Sequence, residues 1–84
     1  MGGDTEVHVY VLRSLKDGKH YVGLSKDVAR RLVQHNGGQV PSTKGRRPFE
    51  LKYVAEAATL SEARTKEKYL KSAAGRKHLA RLGV

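Results

Sequence analysis

The sequence predicts a small α/β (α+β) fold, in which a three-stranded antiparallel sheet is flanked by helices in the order β-β-α-β-α-α. Three observations lead to this prediction. Two apolar runs rich in β-branched residues surround a turn, a third such run lies further on, and the remaining segments carry helix-capping residues. The chain has 84 residues, which suits one small domain. We expect a flexible tail over residues 1–6 and a single domain over residues 7–84.

The first two strands are predicted to form a hairpin. "VHVYVL" (7–12) and "KHYVGL" (19–24) lie on either side of the turn residues Asp17-Gly18. A longer loop would place Tyr10 opposite Tyr21, and a two-residue turn would place it opposite Ser25. Both registers put the two tyrosines on one face, because side chains alternate along a strand. Taken alone, they could be an ordinary cross-strand aromatic pair. The opposite face is the predicted main core and contains Val7, Val9, Val11, Val22 and Leu24.

The first helix has polar residues on its inward face. Asp27 or Ser25 can cap a helix that runs to about His35, where "NGG" ends it. Arg31 and His35 are four residues apart and therefore share one face. A cation and an imidazole on an apolar stripe require partners, because burying unpaired charge is costly. The inward stripe consists of Val28, Arg31, Leu32 and His35.

A polar, basic loop over residues 37–49 connects this helix to a third strand over residues 50–57. Thr59 and Glu62 then have the spacing of a capping box, which predicts a second helix through "ARTKEKYLK". A short third helix, "GRKHLARL", ends the chain. The inward stripe of the second helix is predicted to consist of Ala63, Lys66, Glu67 and Leu70.

Glu67 is a charge at a position where an apolar residue would pack better. It could form an internal ion pair with Arg31, although such pairs are weak evidence of stability. It could instead belong to a site that contains tyrosines, a cation, an imidazole and a carboxylate. The helix pattern leaves both interpretations open.

The charge of the chain predicts a polyanionic partner. Lys and Arg total 17 against 8 for Asp and Glu, which gives a net charge of +9 and a pI near 10.2. Nucleic acid is the polyanion that best fits such a charge. No apolar run reaches the roughly 20 residues of a membrane span, and no signal pattern opens the sequence. There is no cysteine, and the four histidines lack zinc-ligand spacing. We therefore expect a soluble, cytoplasmic, monomeric protein that does not bind membranes.

The order and spacing of these residues resemble the GIY-YIG nuclease superfamily, in particular its small standalone bacterial members. The likeness spans about residues 7–73, through "HVYVL…HYVGLSKDVARRLVQHN…SEARTKEKYLKS". "HVY" stands for the GIY string and "YVG" for the YIG string. Three further positions match the pattern: Arg31, His35 and Glu67. His8 replaces the first glycine, and the asparagine that some family nucleases use near the C-terminus has no counterpart.

The resemblance implies a single divalent metal, Mg²⁺ or Mn²⁺, held by Glu67. It also implies that Tyr10 is the base or its relay, with Arg31 and the metal favouring its phenolate. Tyr21 would position the attacking water or a phosphate oxygen, and Arg31 would neutralise developing charge. His35 would assist proton transfer or hydrogen-bond a tyrosine, unless it is simply a helix-end residue. Three loop cations are the expected phosphate contacts: Lys44, Arg46 and Arg47.

Two functions are compatible with these residues. The first is a metal-dependent endonuclease acting on nucleic acid, with DNA of repair or recombination type favoured over RNA. The second is a catalytically weak nucleic-acid-binding module that keeps the nuclease fold, suggested by the charge, His8 and the absent asparagine.

Overall fold

A computed structural model of the chain describes residues 7–84 and contains a three-stranded antiparallel sheet in the order β2-β1-β3. This architecture and its element order confirm the predicted fold class. The predicted tail over residues 1–6 lies outside the described residues. The strands are Val7–Ser14 (β1), His20–Ser25 (β2) and Phe49–Ala57 (β3), and the helices are Val28–Asn36 (α1), Leu60–Lys71 (α2) and Ala73–Arg81 (α3).

The hairpin of β1 and β2 adopts neither of the predicted registers. Tyr10 lies opposite Gly23, because β1 continues to Ser14 before the chain turns through residues 15–18. The hydroxyl of Ser14 accepts hydrogen bonds from two backbone N–H groups of this loop, each at 3.1 Å, which fixes where the strand ends. The observed register keeps the expected alternation, so Tyr10 and Tyr21 still share a face.

The predicted main core lies on the valine face of the sheet, under α2 and α3. Leu24 is half-buried at its margin. Burying each large aliphatic side chain contributes on the order of 1.5–3 kcal/mol, so this cluster is the main source of stability. Its buried members are Val7, Val9, Val11, Val22, Ala57, Ala63, Leu70 and Leu79.

The tyrosine face is covered by α1 and forms a second, smaller core. Its buried members are Tyr10, Leu12 and Phe49, against which Tyr21 and two residues of α1 pack. The sheet is therefore covered on both faces, with α1 on one side and α2 and α3 on the other. Tyr10 and Tyr21 lie on the α1 side, whereas Tyr53 of β3 packs against the valine core.

Side-chain caps begin each of the three α-helices, whereas the short 3-10 helix Lys44–Arg46 has none. Asp27 accepts from the backbone N–H of Arg30 at 3.0 Å, which confirms the first of the two predicted caps for α1. Thr59 caps α2 and Ser72 caps α3 in the same manner. Each cap satisfies an N–H group that a helix end would otherwise leave unpaired. Within residues 7–84, no helix combines the length and apolar character needed to cross a membrane.

Candidate active site

Three rings from three elements meet on the α1 face. Tyr10 comes from β1, Tyr21 from β2 and His35 from the last turn of α1. The ring centroids of Tyr21 and His35 are 4.9 Å apart, and those of the two tyrosines are 6.3 Å apart. Tyr10 and His35 are almost fully buried, at 1% and 0% exposure, whereas Tyr21 is half-buried. Tyr21 is therefore the ring of the three that solvent reaches.

A chain of hydrogen bonds runs inward from Tyr10. Its hydroxyl lies 2.9 Å from His35 Nε2, and His35 Nδ1 lies 2.8 Å from the Thr43 hydroxyl. The Thr43 hydroxyl in turn donates to the carbonyl of Val40, at 3.4 Å. Because the Thr43 hydroxyl donates its one hydrogen to the Val40 carbonyl, it acts as the acceptor for Nδ1–H of the imidazole. Nε2 then accepts from the Tyr10 hydroxyl, and this pattern assigns the His35 tautomer.

Burial keeps both ends of the Tyr10–His35 hydrogen bond uncharged. It raises the pKa of Tyr10, and nearby Arg31 offsets that effect only in part. Burial also lowers the pKa of His35, and the charge of Arg31 lowers it further. Arg31 does favour the Tyr10 phenolate, as expected, but the net pKa moves the other way. In the metal-free protein the site therefore contains a neutral phenol whose proton points at a neutral imidazole.

Two residues that complete this arrangement are not among the predicted site residues. A Cβ atom at Gly23 would lie 2.6 Å from the Tyr10 hydroxyl oxygen and 3.0 Å from Tyr21 Cε2, so only glycine fits between the rings. A glycine inside a strand pattern signals such a close approach and could have been found. Thr43 is fully buried in the loop after α1. Nothing in the sequence of that polar loop distinguishes it from its neighbours.

Arg31 and Glu67 lie around the rings but do not pair with each other. Arg31 donates to the side chain of Gln34 at 2.8 Å, and Glu67 accepts from Lys71 at 3.0 Å. The ion-pair interpretation is therefore wrong for the structure described over residues 7–84. Both charges nevertheless act on the pKa of Tyr10, which Arg31 lowers and Glu67 raises.

Glu67 approaches the site from the β2 edge of the sheet. The helix that carries it packs on the valine face, and Tyr21 and Lys71 line one cleft beside the edge strand. Helix periodicity predicts that both helix stripes face one interior, whereas the structure places them on opposite faces of the sheet. Ala63 and Leu70 of the α2 stripe are buried and Glu67 is half-buried, but Lys66 is exposed.

The acidic residues of the described chain form no preassembled metal cage. No group of three or more His, Cys, Asp or Glu side chains converges within residues 7–84. Glu67 is a lone carboxylate, a quarter exposed, with one oxygen on Lys71. A single carboxylate suits Mg²⁺, which retains several waters and is often completed by substrate phosphates. The donor set therefore fits an ion that arrives with a phosphate substrate.

The three predicted phosphate contacts have different surroundings. Arg46 donates to Asp17 at 3.1 Å and lies 5.7 Å from the Phe49 ring centroid, so it fastens the loop to the sheet. Arg47 donates through Nε to the carbonyl of Lys44 at 2.8 Å. Lys44 is exposed, and its ammonium has no partner in the described part of the chain. Of the three, Lys44 has the charge most available to a ligand.

His8, the unusual residue of the first string, contacts the neighbouring strand β3. It lies opposite Glu56 of β3, with His8 Nε2 4.0 Å from the Glu56 carboxylate. Tyr21 lies on β2, and β3 borders β1 on the opposite side from β2. The imidazole thus forms a cross-strand pair outside the cluster of rings.

Comparison with known proteins agrees with this architecture. The chain is 38% identical over 73 residues to a UPF0213 protein of Staphylococcus saprophyticus, covering 86% of this chain and 88% of that protein. It is also 38% identical to a UPF0213 protein of Halobacterium salinarum, over 76% of this chain and 83% of that protein.

A solved structure extends the likeness to three dimensions. The solution NMR structure of a UPF0213 protein from Bacillus halodurans is similar at a TM-score of 0.55 and 34% identity, over 92% of this chain and 84% of the other. Residues 6–80 match the model of the GIY-YIG catalytic domain, a family whose nucleases typically use a divalent metal. The chain therefore belongs to the GIY-YIG nuclease superfamily.

Proposed function

We propose that this protein is a metal-dependent endonuclease that hydrolyses phosphodiester bonds, in DNA of repair or recombination type. The observation that carries the proposal is the buried hydrogen-bond chain from Tyr10 through His35 to Thr43. A neutral phenol aimed at a neutral imidazole can accept one proton and release another in a single relay. A core that needed only packing would gain nothing from these buried polar groups.

In the proposed reaction, the attacking water gives its proton to the Tyr10 oxygen as the phenol proton passes to His35 Nε2. The depressed pKa of His35 keeps Nε2 free to accept at neutral pH. The ring of Tyr21, half exposed above the relay, positions the water or a phosphate oxygen. The planar fork of Arg31 pairs with phosphate oxygens as charge develops on them.

Glu67 is the proposed metal ligand, for Mg²⁺ or Mn²⁺. A bound divalent ion would supply electrostatic stabilisation of the phosphate and the leaving oxygen. Lys71, which now holds Glu67 at 3.0 Å, has to release the carboxylate for this role. An exposed ion pair of this kind is worth at most about 1 kcal/mol, so its loss is a small barrier.

Replacement of the proposed metal ligand tests the function. We expect Glu67→Gln to lower the rate of Mg²⁺-dependent DNA cleavage by about 100-fold or more, because several kcal/mol of stabilisation would be lost. Cleavage of branched, nicked and single-stranded DNA should be measured with Mg²⁺ and with chelator. Glu50→Gln removes the same charge from an exposed position on β3 and should leave the rate unchanged. Equal rates for Glu67→Gln and the wild type would refute the role.

The second candidate, a binding module with little turnover, is favoured by two observations. Glu67 is already occupied by Lys71, and the lone asparagine, Asn36, bonds the backbone of Phe49. A binding module would hold DNA or RNA with an affinity that falls steeply with salt. It would cleave nothing in the presence of Mg²⁺. The nuclease proposal instead requires that Glu67→Gln abolish turnover while binding survives.

A further inference from the structure

A basic cleft opens beside the catalytic residues, at the β2 edge of the sheet. It has a volume of about 570 Å³ and lies between β2, the end of α2 and the start of α3. Volumes of this size are typical of sites for small ligands. We call it the β2-edge cleft.

The charged side chains that line the β2-edge cleft, within the described residues, are all cations: Lys19, Arg46, Lys71 and Arg76. Two of these charges are already neutralised, since Arg46 pairs with Asp17 and Lys71 pairs with Glu67. The charged ends of Lys19 and Arg76 have no partner in the structure described over residues 7–84. Two unpaired cations that face one cleft leave a site for an anion.

The cleft and the catalytic site are continuous. Tyr21, whose ring lies against His35, also lines the cleft, and Lys71 connects the cleft to Glu67. A strand whose scissile phosphate lay at Arg31 and Tyr21 would therefore continue into the cleft. Proteins hold single strands without reading their sequence by combining aromatic rings with cationic side chains. The cleft offers one such ring, Tyr21, beside its cations.

We propose that the β2-edge cleft binds the single-stranded segment next to the scissile phosphate, with Lys19 and Arg76 as its phosphate contacts. This inference rests on the proposed nuclease function and names the form of its substrate. It assigns a role to two cations that composition alone cannot separate from the solvated surface.

A binding experiment tests the cleft separately from catalysis. Fluorescence anisotropy of a labelled single-stranded oligodeoxynucleotide, with chelator present, gives the slope of log K against log salt. We expect Lys19→Ala/Arg76→Ala to reduce the magnitude of that slope by about 1.4, at about 0.7 for each lost contact. Lys77→Ala/Arg81→Ala removes the same two kinds of side chain from α3 outside the cleft. It should leave the slope at the wild-type value.

The outcomes separate the two proposals. If both double variants change the slope equally, binding is general surface electrostatics and the cleft inference is wrong. If the cleft variant binds as the wild type does while the wild type still cleaves, the cleft inference fails and the nuclease survives. If the wild type neither binds nor cleaves, both proposals fail. All four replaced residues are exposed, and matching thermal midpoints will show that the variants fold.

A footprint gives a second readout that needs no variant. The bound oligonucleotide should slow acetylation of Lys19 and Lys71, as read by mass spectrometry. The rates at Lys26 and Lys77, which lie outside the cleft, should not change. Equal protection of all four lysines would overturn the assignment.

Discussion

At the scale of single residues, the site depends on a glycine as much as on its rings. Gly23 lies opposite Tyr10 in the sheet and leaves space for the phenol hydroxyl to reach His35. A methyl group there would push the hydroxyl away from Nε2 or bend the strand. Displacements of less than an ångström matter here because a closely packed interior has little room to relax.

Gly23→Ala should therefore destabilise the fold by about 1–3 kcal/mol, the usual range for overpacking. It should lower cleavage by a larger factor than it lowers DNA affinity, because the relay loses its alignment. Urea unfolding and parallel cleavage and binding assays measure the three quantities. Gly45→Ala is the matched control, because its new methyl group would meet no atom within 4 Å. A Gly23→Ala protein as stable as Gly45→Ala would contradict the packing argument.

The buried imidazole makes stability depend on pH in a defined direction. The pKa of His35 is lower in the folded protein than its ordinary value of 6.5. As pH falls, the unfolded chain takes up the proton first, so unfolding becomes more favourable. The loss begins near pH 6.5 and continues until the folded pKa is passed.

Urea unfolding of the wild type and of His35→Gln, between about pH 8 and pH 5, isolates this effect. We expect the wild type to lose more free energy of unfolding than the variant over that interval. The remaining histidines are common to both proteins and cancel in the difference. Parallel curves for the two proteins would show that His35 does not titrate as described.

Strand alternation predicted the shared face of Tyr10 and Tyr21, and helix periodicity brought Arg31 and His35 to one stripe. Both patterns depend only on local sequence, so these predictions hold even though the predicted register of the hairpin was wrong. Thr43 could not be found in this way, because its partner is eight residues back in sequence and meets it only after the loop folds. Side-chain contacts made within a loop leave no periodic pattern in the sequence from which they could be predicted.

At the scale of elements, the loop between α1 and β3 determines where the chain of hydrogen bonds from Tyr10 ends. Asn36 holds one side of it by exchanging two hydrogen bonds with the backbone of Phe49, at 2.7 and 3.1 Å. Ser14 holds the other side by donating to the carbonyl of Arg46 at 2.6 Å. Thr43 is thereby fixed beside His35, where its hydroxyl orients the imidazole.

Removing the Thr43 hydroxyl should disturb the relay while keeping the shape of the core. Thr43→Val leaves His35 Nδ1–H unpaired in a buried place, which should cost about 1–3 kcal/mol of stability. Cleavage should fall while DNA affinity changes little, because the Thr43 side chain is fully buried. Thr43→Ser retains the hydroxyl and should restore most of the cleavage rate. If the serine variant is as impaired as the valine variant, packing rather than orientation explains the residue.

Capping chemistry predicted the helix starts, since Asp27 and Thr59 satisfy backbone groups within three residues of themselves. The hairpin register was missed because the Ser14 hydroxyl, which bonds two loop N–H groups, outweighs the turn preference of Asp17-Gly18. The faces covered by α1 and α2 depend on long-range packing. Periodicity alone therefore could not place Glu67 at the sheet edge.

At the scale of the whole molecule, the net charge of +9 opposes folding through repulsion between cations and also favours the binding of nucleic acid. The described residues form four ion pairs, one of them through a histidine. These exposed pairs contribute little, so repulsion among the remaining cations should dominate the electrostatics. Salt should therefore have opposite effects on stability and on binding.

We expect the thermal midpoint of the free protein to rise as sodium chloride increases from about 0.01 to 0.15 M. Over that interval the screening length falls from about 30 to about 8 Å, so repulsion between distant cations is lost. Affinity for DNA should fall over the same interval, because counterion release then favours binding less. Calorimetry and anisotropy on one protein stock measure both quantities.

Lys26→Glu/Lys77→Glu lowers the net charge by reversing two exposed cations and should flatten the rise in the midpoint. A midpoint that falls with salt in the wild type would mean that attractive pairs outweigh repulsion, contrary to the charge balance of the chain.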